Sequence, residues 1–329
     1  MENTYYILAK EGITISRFHI CTWDFSRTPS YIEFGLEFCY NEFHEDSLMF
    51  YLACPSFDGE VEPSCLCEKL TNIDNCRFIF NDLVQGTNCI GDGYREGVIV
   101  KFDERTALTV LPCSISINKG YFVLTVKKPQ NHSGLIYLRV LIKLKKSKIA
   151  IRSKGLSKVS HIYDFKINET RNIPETIYEL KREQNLRLCR VDKVFCIHAV
   201  PDAYNISFVD TKKLKNVRKL ESEAFVRYLP EIKQLGKNCY NIVFLKDCDR
   251  DGYSIFSVFV EETLGVTHLI LAIGVNMLCS SLFALSSWRV SLKKEVAWYS
   301  QMPAEYYIAM LLVILIIAYI SVQYRRRAK

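Results

Sequence analysis

Hydrophobic and polar positions alternate through most of the first 150 residues. Residues 13–20 alternate around Ile13, Ile15, Phe18 and Ile20, and residues 31–38 place Ile32, Phe34, Leu36 and Phe38 on one side of a pleat. Period-two alternation is the pattern of a half-buried strand. Short β-rich runs recur at residues 47–54, 76–80, 97–102, 106–110, 114–117 and 121–126. Breakers separate them: Pro55, Asp58-Gly59, Pro63, Gly91-Asp92-Gly93, Asn118-Lys119-Gly120 and Pro129. The clearest strand spans residues 135–149, with Ile136, Leu138, Val140, Ile142 and Leu144 facing one way and Arg139, Lys143 and Lys145 the other. Many short strands joined by polar turns predict a β-sandwich or a partly closed barrel over residues 1–155.

The pattern changes near residue 156. Asn172 and Pro174 precede a helical pattern at residues 175–186, and residues 217–229 read as a second helix. Residues 191–200 and 203–209 read as strands meeting at Pro201-Asp202, and residues 239–245 and 253–260 as a hairpin. Residues 156–263 are therefore expected to form an α+β subdomain. There is no internal repeat.

Two long apolar runs close the chain, at residues 264–287 and 304–322. A bilayer core needs about 20 apolar helical residues, and backbone in lipid must satisfy its own hydrogen bonds. Both runs are expected to be transmembrane helices, joined by a short extracytoplasmic link at 288–303 and followed by a basic tail at 323–329. In the first run Gly265, Ala272, Asn276, Ser280 and Ser287 fall within roughly 80° of one another on a helix, with His268 at the edge. Such a small and polar face marks helix contacts or a wet cavity, and so a homo-oligomer formed through the first helix. Arg325, Arg326, Arg327 and Lys329 favour a cytoplasmic tail. The N-terminal residues lack a basic segment followed by an apolar one, so no signal peptide is expected. These readings place the chain in the inner membrane, multi-pass, with both termini cytoplasmic. Thirteen cysteines without a secretory signal fit a reducing compartment.

The net charge of +7 conceals an uneven distribution. Residues 1–104 hold 7 basic and 18 acidic residues, whereas residues 105–163 hold 12 basic and none acidic. Arg139, Lys143, Lys145, Lys146, Lys148 and Arg152 are candidates for contact with nucleic acid or lipid headgroups, which need clustered positive charge. A solvated face, or pairing with the acidic first hundred residues, explains the same cluster.

Site chemistry is sparse. Asp247-Cys248-Asp249-Arg250-Asp251-Gly252 resembles the start of an EF-hand loop, but Val258 occupies the position that needs a bidentate carboxylate, so a hairpin turn is expected. Cys54, Cys65, Cys67, Cys76 and Cys89 cluster without a common zinc spacing, so free thiols are expected. Phosphate loop, nucleophile elbow and HExxH are all missing. Cys196 and His198 share a strand face, but no cleft is evident beside them. No catalytic residue, metal, cofactor or small-molecule substrate is expected, and the chain is read as a non-enzyme.

Two functions fit these features. One is a toxin-like membrane effector, in which the N-terminal region, as a cytosolic sensor, controls a membrane-perturbing hairpin. The other is a binding, scaffold or sensor protein tethered by an inert hairpin. An N-terminal body followed by spans at 264–287 and 304–322 resembles the two-transmembrane effectors of bacterial retron anti-phage systems. That resemblance implies a role in abortive infection. It also implies, as partners, a reverse transcriptase and its RNA–DNA hybrid.

Overall fold

The computed structural model describes residues 4–23, 30–54, 61–130, 133–144, 149–155, 158–221, 228–230, 239–248, 253–263 and 266–292, with 307, 308, 310, 311 and 314. Two compact units comprise Met1–Arg152 with Ser160–Glu261, and Ser153–Val159 with Glu262–Lys329.

Two sheets form most of the structure. The first runs in the order Tyr204–Val209 (β17), Tyr253–Glu262 (β20), Lys158–Ile167 (β13), Thr4–Ala9 (β1), Ser47–Ala53 (β4), Tyr121–Lys127 (β10) and Cys113–Asn118 (β9). Ile151–Lys154 (β12) joins β13, and Arg187–Leu188 (β14) joins β1. The second sheet runs Leu214–Glu221 (β18), Cys239–Asp247 (β19), Val194–Pro201 (β16), Thr14–Trp23 (β2), Ser30–Cys39 (β3), Leu135–Leu144 (β11), Leu108–Val110 (β8), Val98–Phe102 (β7) and Val84–Cys89 (β6). Arg190–Val191 (β15) lies beside β2, and Val61–Cys65 (β5) beside β11. Strands from both halves of the sequence interleave in each sheet. Among the described residues the α-helices include Ile73–Phe80 (α1), Glu175–Glu183 (α2) and Val266–Leu292 (α3), and residues 307, 308, 310, 311 and 314 are also helical.

Alternation explains the packing. β3 and β11 pair antiparallel, with Leu36 opposite Leu138 and Phe34 opposite Val140. Ile32, Phe34, Leu36 and Phe38 join Ile136, Leu138, Val140 and Ile142 in a core shared with Tyr5 and Ile7 of β1, Phe50 and Leu52 of β4, and Phe122 and Leu124 of β10. This core lies between the two sheets. The second sheet's other face is covered as well: Cys21, Trp23, Tyr137 and Leu141 pack with Cys76, Ile79 and Phe80 of α1 and with Tyr228 and Leu229. On the first sheet's outer face, Ile177 and Leu180 of α2 cover Tyr6, Leu8, Tyr51 and Ala53.

Three local expectations change. Residues 76–80 belong to a helix rather than a strand. The Asn72 side chain accepts from the backbone N–H groups of Asp74 (2.8 Å) and Asn75 (3.3 Å), and Asn81 ends the helix in the left-handed region at φ 49°. Those two asparagines set the boundaries. The helix expected from residue 217 is instead strand β18, because its backbone pairs with β19 from Leu214 to Glu221. Pairing overrides the helix preference of its lysines and leucines. At α2 the cap position is Pro174, which offers no side-chain acceptor, rather than Asn172.

The membrane hairpin is the largest correction. Among the described residues, no helix is long and apolar enough to cross a membrane. The first run does form α3, but polar residues recur along it, including Asn276, Ser280 and Ser281. Of the second run only 307, 308, 310, 311 and 314 are described, so the rest of that expected span lies outside the described residues. The transmembrane hairpin, the inner-membrane, multi-pass placement and the oligomer through a first membrane helix are therefore withdrawn. The membrane effector, its inert-anchor alternative and the resemblance to retron effectors all required two spans and go with them. So do the reverse transcriptase and RNA–DNA hybrid partners. Of the proposed polar face, Ala272, Asn276, Ser280 and Ser287 are exposed on α3. His268 lies within α3, and Gly265 is outside the described residues.

Candidate functional site: a basic aromatic cleft

The outer face of the second sheet carries a cleft where α1 ends. Three strands supply its floor in register: His19 of β2 lies opposite Phe195 of β16, which lies opposite Lys246 of β19. One step along, Ile197 faces Phe244. Ile79, Phe80, Asn81 and Asp82 form a wall, and Arg17, Lys193 and Lys215 complete a cavity of about 200 Å³.

Two β-bulges aim the cations. Ile13 and Ile15 point into the inter-sheet core, and so do Phe18 and Ile20. The parity changes because the β2–β3 register shifts between Ile15 and Arg17. Without that extra residue Arg17 would point into the core; with it, Arg17 reaches the cleft. In β18 the register shifts between Leu214 and Asn216, which makes Lys215 the bulged residue. The Asn216 amide donates to Asn81 Oδ1 at 3.5 Å, joining this bulge to the end of α1.

The cleft's electrostatics are one-sided. Arg17 Nε lies 3.3 Å from Glu37 Oε1, but Glu37 also takes Arg105 Nη2 at 2.8 Å. Arg105 stacks over Phe102 at 4.2 Å. Lys193, Lys215 and Lys246 are exposed and form no ion pair among the described residues. Among the described residues, Asp82 is the one carboxylate lining the cavity. The Arg17 guanidinium and the Lys246 ammonium lie 5.7 and 5.9 Å from the centre of the Phe195 ring.

His19 connects this cleft to a buried polar network. Glu33 and Arg139 are fully buried, with Arg139 Nη2 2.5 Å and Nε 2.7 Å from Glu33 Oε2. Tyr228 Oη donates to the same oxygen at 2.6 Å, and Trp23 Nε1 to Oε1 at 2.7 Å. Arg139 Nη1 donates to Tyr137 Oη at 2.8 Å, and Tyr137 Oη lies 2.9 Å from His19 Nδ1. A guanidinium only donates, so Tyr137 Oη accepts from Arg139, and giving its own proton to Nδ1 satisfies both groups. In that arrangement a neutral His19 carries its proton on Nε2. Burial first, then the charges of Arg139, Arg17, Arg105 and Lys215, holds His19 well below the usual histidine range. It lines the cleft as a neutral ring. Gly35, in register with His19, allows this path: a Cβ there would meet Tyr137 Oη at 2.0 Å.

The residues singled out in the sequence lie elsewhere. Arg139 is interior and committed to Glu33, so it is withdrawn as a contact for nucleic acid or lipid. Lys143 pairs with Glu62 at 3.0 Å, and Arg152 is exposed. Lys145, Lys146 and Lys148 are outside the described residues. Cys196 Sγ is 3.5 Å from His198 Nε2, and His198 Nδ1 is 2.9 Å from Thr22 Oγ1. This trio lies in the inter-sheet core against Tyr163, Phe165 and Phe259. Burial pushes the His198 pKa down to about 3 and the Cys196 thiol up, leaving an uncharged pair away from the cleft. Among the described residues no group of three metal-binding side chains forms. No family model matches the chain, and no curated protein matches it.

Proposed function

We propose that the cleft binds a small phosphorylated ligand bearing a planar ring, of the nucleoside monophosphate class, and that the chain acts as a ligand-binding module rather than an enzyme. One observation carries this reading: Arg17 and three lysines without ion pairs among the described residues line one cavity, with Arg17 and Lys246 lying 5.7 and 5.9 Å from the centre of the Phe195 ring on its floor. Clustered cations favour phosphate, and an aromatic floor favours a stacked base. The neutral His19 ring offers a donor rather than a further charge. A cavity of about 200 Å³ suits one nucleotide lying partly in solvent, not a duplex.

Calorimetry on the full chain at low salt tests the reading, using the four common nucleoside monophosphates, one nucleoside and inorganic phosphate. Nucleotide binding should weaken with added salt and be lost in Lys246→Glu. Phe195→Ala should weaken nucleotide binding more than phosphate binding. Equal binding of nucleotide and phosphate would reduce the site to a simple anion site. No binding of either, or binding untouched by Lys246→Glu, would overturn the proposal.

A further inference from the structure

A second chemistry lies away from the cleft, where the sequence showed only a scatter of cysteines. Cys65 is the last residue of β5, which pairs with β11 of the second sheet, and Cys113 is the first of β9, at the edge of the first sheet. The Cys113 N–H donates to Cys65 Sγ at 3.4 Å. Both Cys65 and Cys113 are half-buried.

We propose that Cys65 and Cys113 form an oxidisable dithiol, in which Cys65 attacks a peroxide and Cys113 resolves the product into a disulfide joining β5 to β9. In the first step the Cys65 thiolate supplies an electron pair to one peroxide oxygen. The O–O bond breaks and hydroxide leaves, giving a sulfenic acid at Cys65. In the second, the Cys113 sulfur attacks the Cys65 sulfur. The S–O bond breaks and the departing hydroxide takes the Cys113 proton to form water. The dithiol loses two electrons and the peroxide gains them.

The surroundings separate the roles. Hydrogen bonding to Cys113, whose N–H lies 3.4 Å from the sulfur, outweighs burial and lowers the Cys65 thiol, while the same contact and then burial raise the Cys113 thiol. Cys67 adjoins the pair but does not suit resolution. Its thiol donates to the carbonyls of Tyr94 (3.5 Å) and Val110 (3.6 Å), and burial pushes it up to about 12.

The test treats the full, reduced chain with limiting hydrogen peroxide and maps the products by mass spectrometry without reduction. A Cys67→Ser background removes ambiguity within the shared peptide. The expected product links Cys65 to Cys113. In Cys113→Ser, a dimedone adduct should accumulate at Cys65. On the unmodified chain, iodoacetamide labelling of Cys65 should titrate with a midpoint below the about 8.5 of an ordinary thiol. Linkage of other cysteines in preference, or a Cys65 midpoint no lower than an ordinary thiol's, would overturn the proposal. The labelling profile needs no substitution, so it decides the matter even if a variant folds poorly.

Discussion

Replacing Glu33 by glutamine should destabilise the protein more than any change at its surface, and the geometry gives the size of the effect. The Glu33 carboxylate faces Arg139 Nε and Nη2, Tyr228 Oη and Trp23 Nε1 within 2.7 Å. Glutamine preserves the shape but removes the charge and turns an amide N–H₂ toward the Arg139 guanidinium or the Trp23 indole, which only donate. Arg139, fully buried, is then an uncompensated cation. Breaking a buried pair by removing one partner costs about 3–5 kcal/mol, against a total stability of about 5–15 kcal/mol. For a unit of this size each kcal/mol lowers Tm by about 2–4 °C, so a fall of roughly 10 °C is expected.

Adding Arg139→Met to Glu33→Gln removes the stranded cation. The double variant should recover at least about 2 kcal/mol relative to the single one. Urea unfolding followed by tryptophan fluorescence reads both, because the Trp23 indole is bonded to Glu33. A loss below about 1 kcal/mol for Glu33→Gln, or additive costs in the double variant, would refute a strongly coupled buried pair.

Acid should also act through His198. Its pKa is lowered by burial to about 3, so the unfolded chain binds the proton more readily. Its contribution is complete above the unfolded value near 6.5 and is lost as pH falls toward about 3, at about 1.4 kcal/mol per pH unit. His198→Gln should reduce that slope in denaturant titrations over this window, leaving the similar slope due to His19; an unchanged slope would contradict the assignment. Gly35→Ala drives a Cβ into Tyr137 Oη and should cost about 1–3 kcal/mol by overpacking, while weakening nucleotide binding because His19 loses its partner. Thermal melts and the calorimetric assay would detect each. Closing the Cys65–Cys113 bond spans 48 positions and should stabilise the oxidised form by about 4 kcal/mol from loop-closure entropy, read as a reversible rise in Tm that dithiothreitol abolishes.

Strands were legible where one face is apolar and the other polar. Residues 31–38 and 135–144 announced β3 and β11, whose shared register forms the centre of the second sheet. The error was to treat the opposite face as solvated. Arg139 reads as a surface cation in any single-strand pattern, because nothing near it in sequence shows that Glu33 lies across the sheet and Tyr228 above it. Burial of a charge depends on partners 106 and 89 positions away. The terminal apolar runs failed for a different reason. Composition gives apolarity, but a span also requires a helix that stays apolar over its length, and no described helix meets that condition.

The cleft was illegible because its parts are distant and individually ordinary. Arg17, Lys193, Lys215 and Lys246 are scattered over about 230 positions and belong to no motif. Parallel pairing of β2 with β16 and antiparallel pairing of β16 with β19 bring His19, Phe195 and Lys246 into one row. One signal was nevertheless present in the sequence. Apolar positions run Ile13 and Ile15, then Phe18 and Ile20, a change of parity within a single strand. A strand that keeps its apolar side inward through such a change must contain an extra residue. That residue turns Arg17 outward beside His19, so the phase break, more than the charge itself, marked where the binding surface would form.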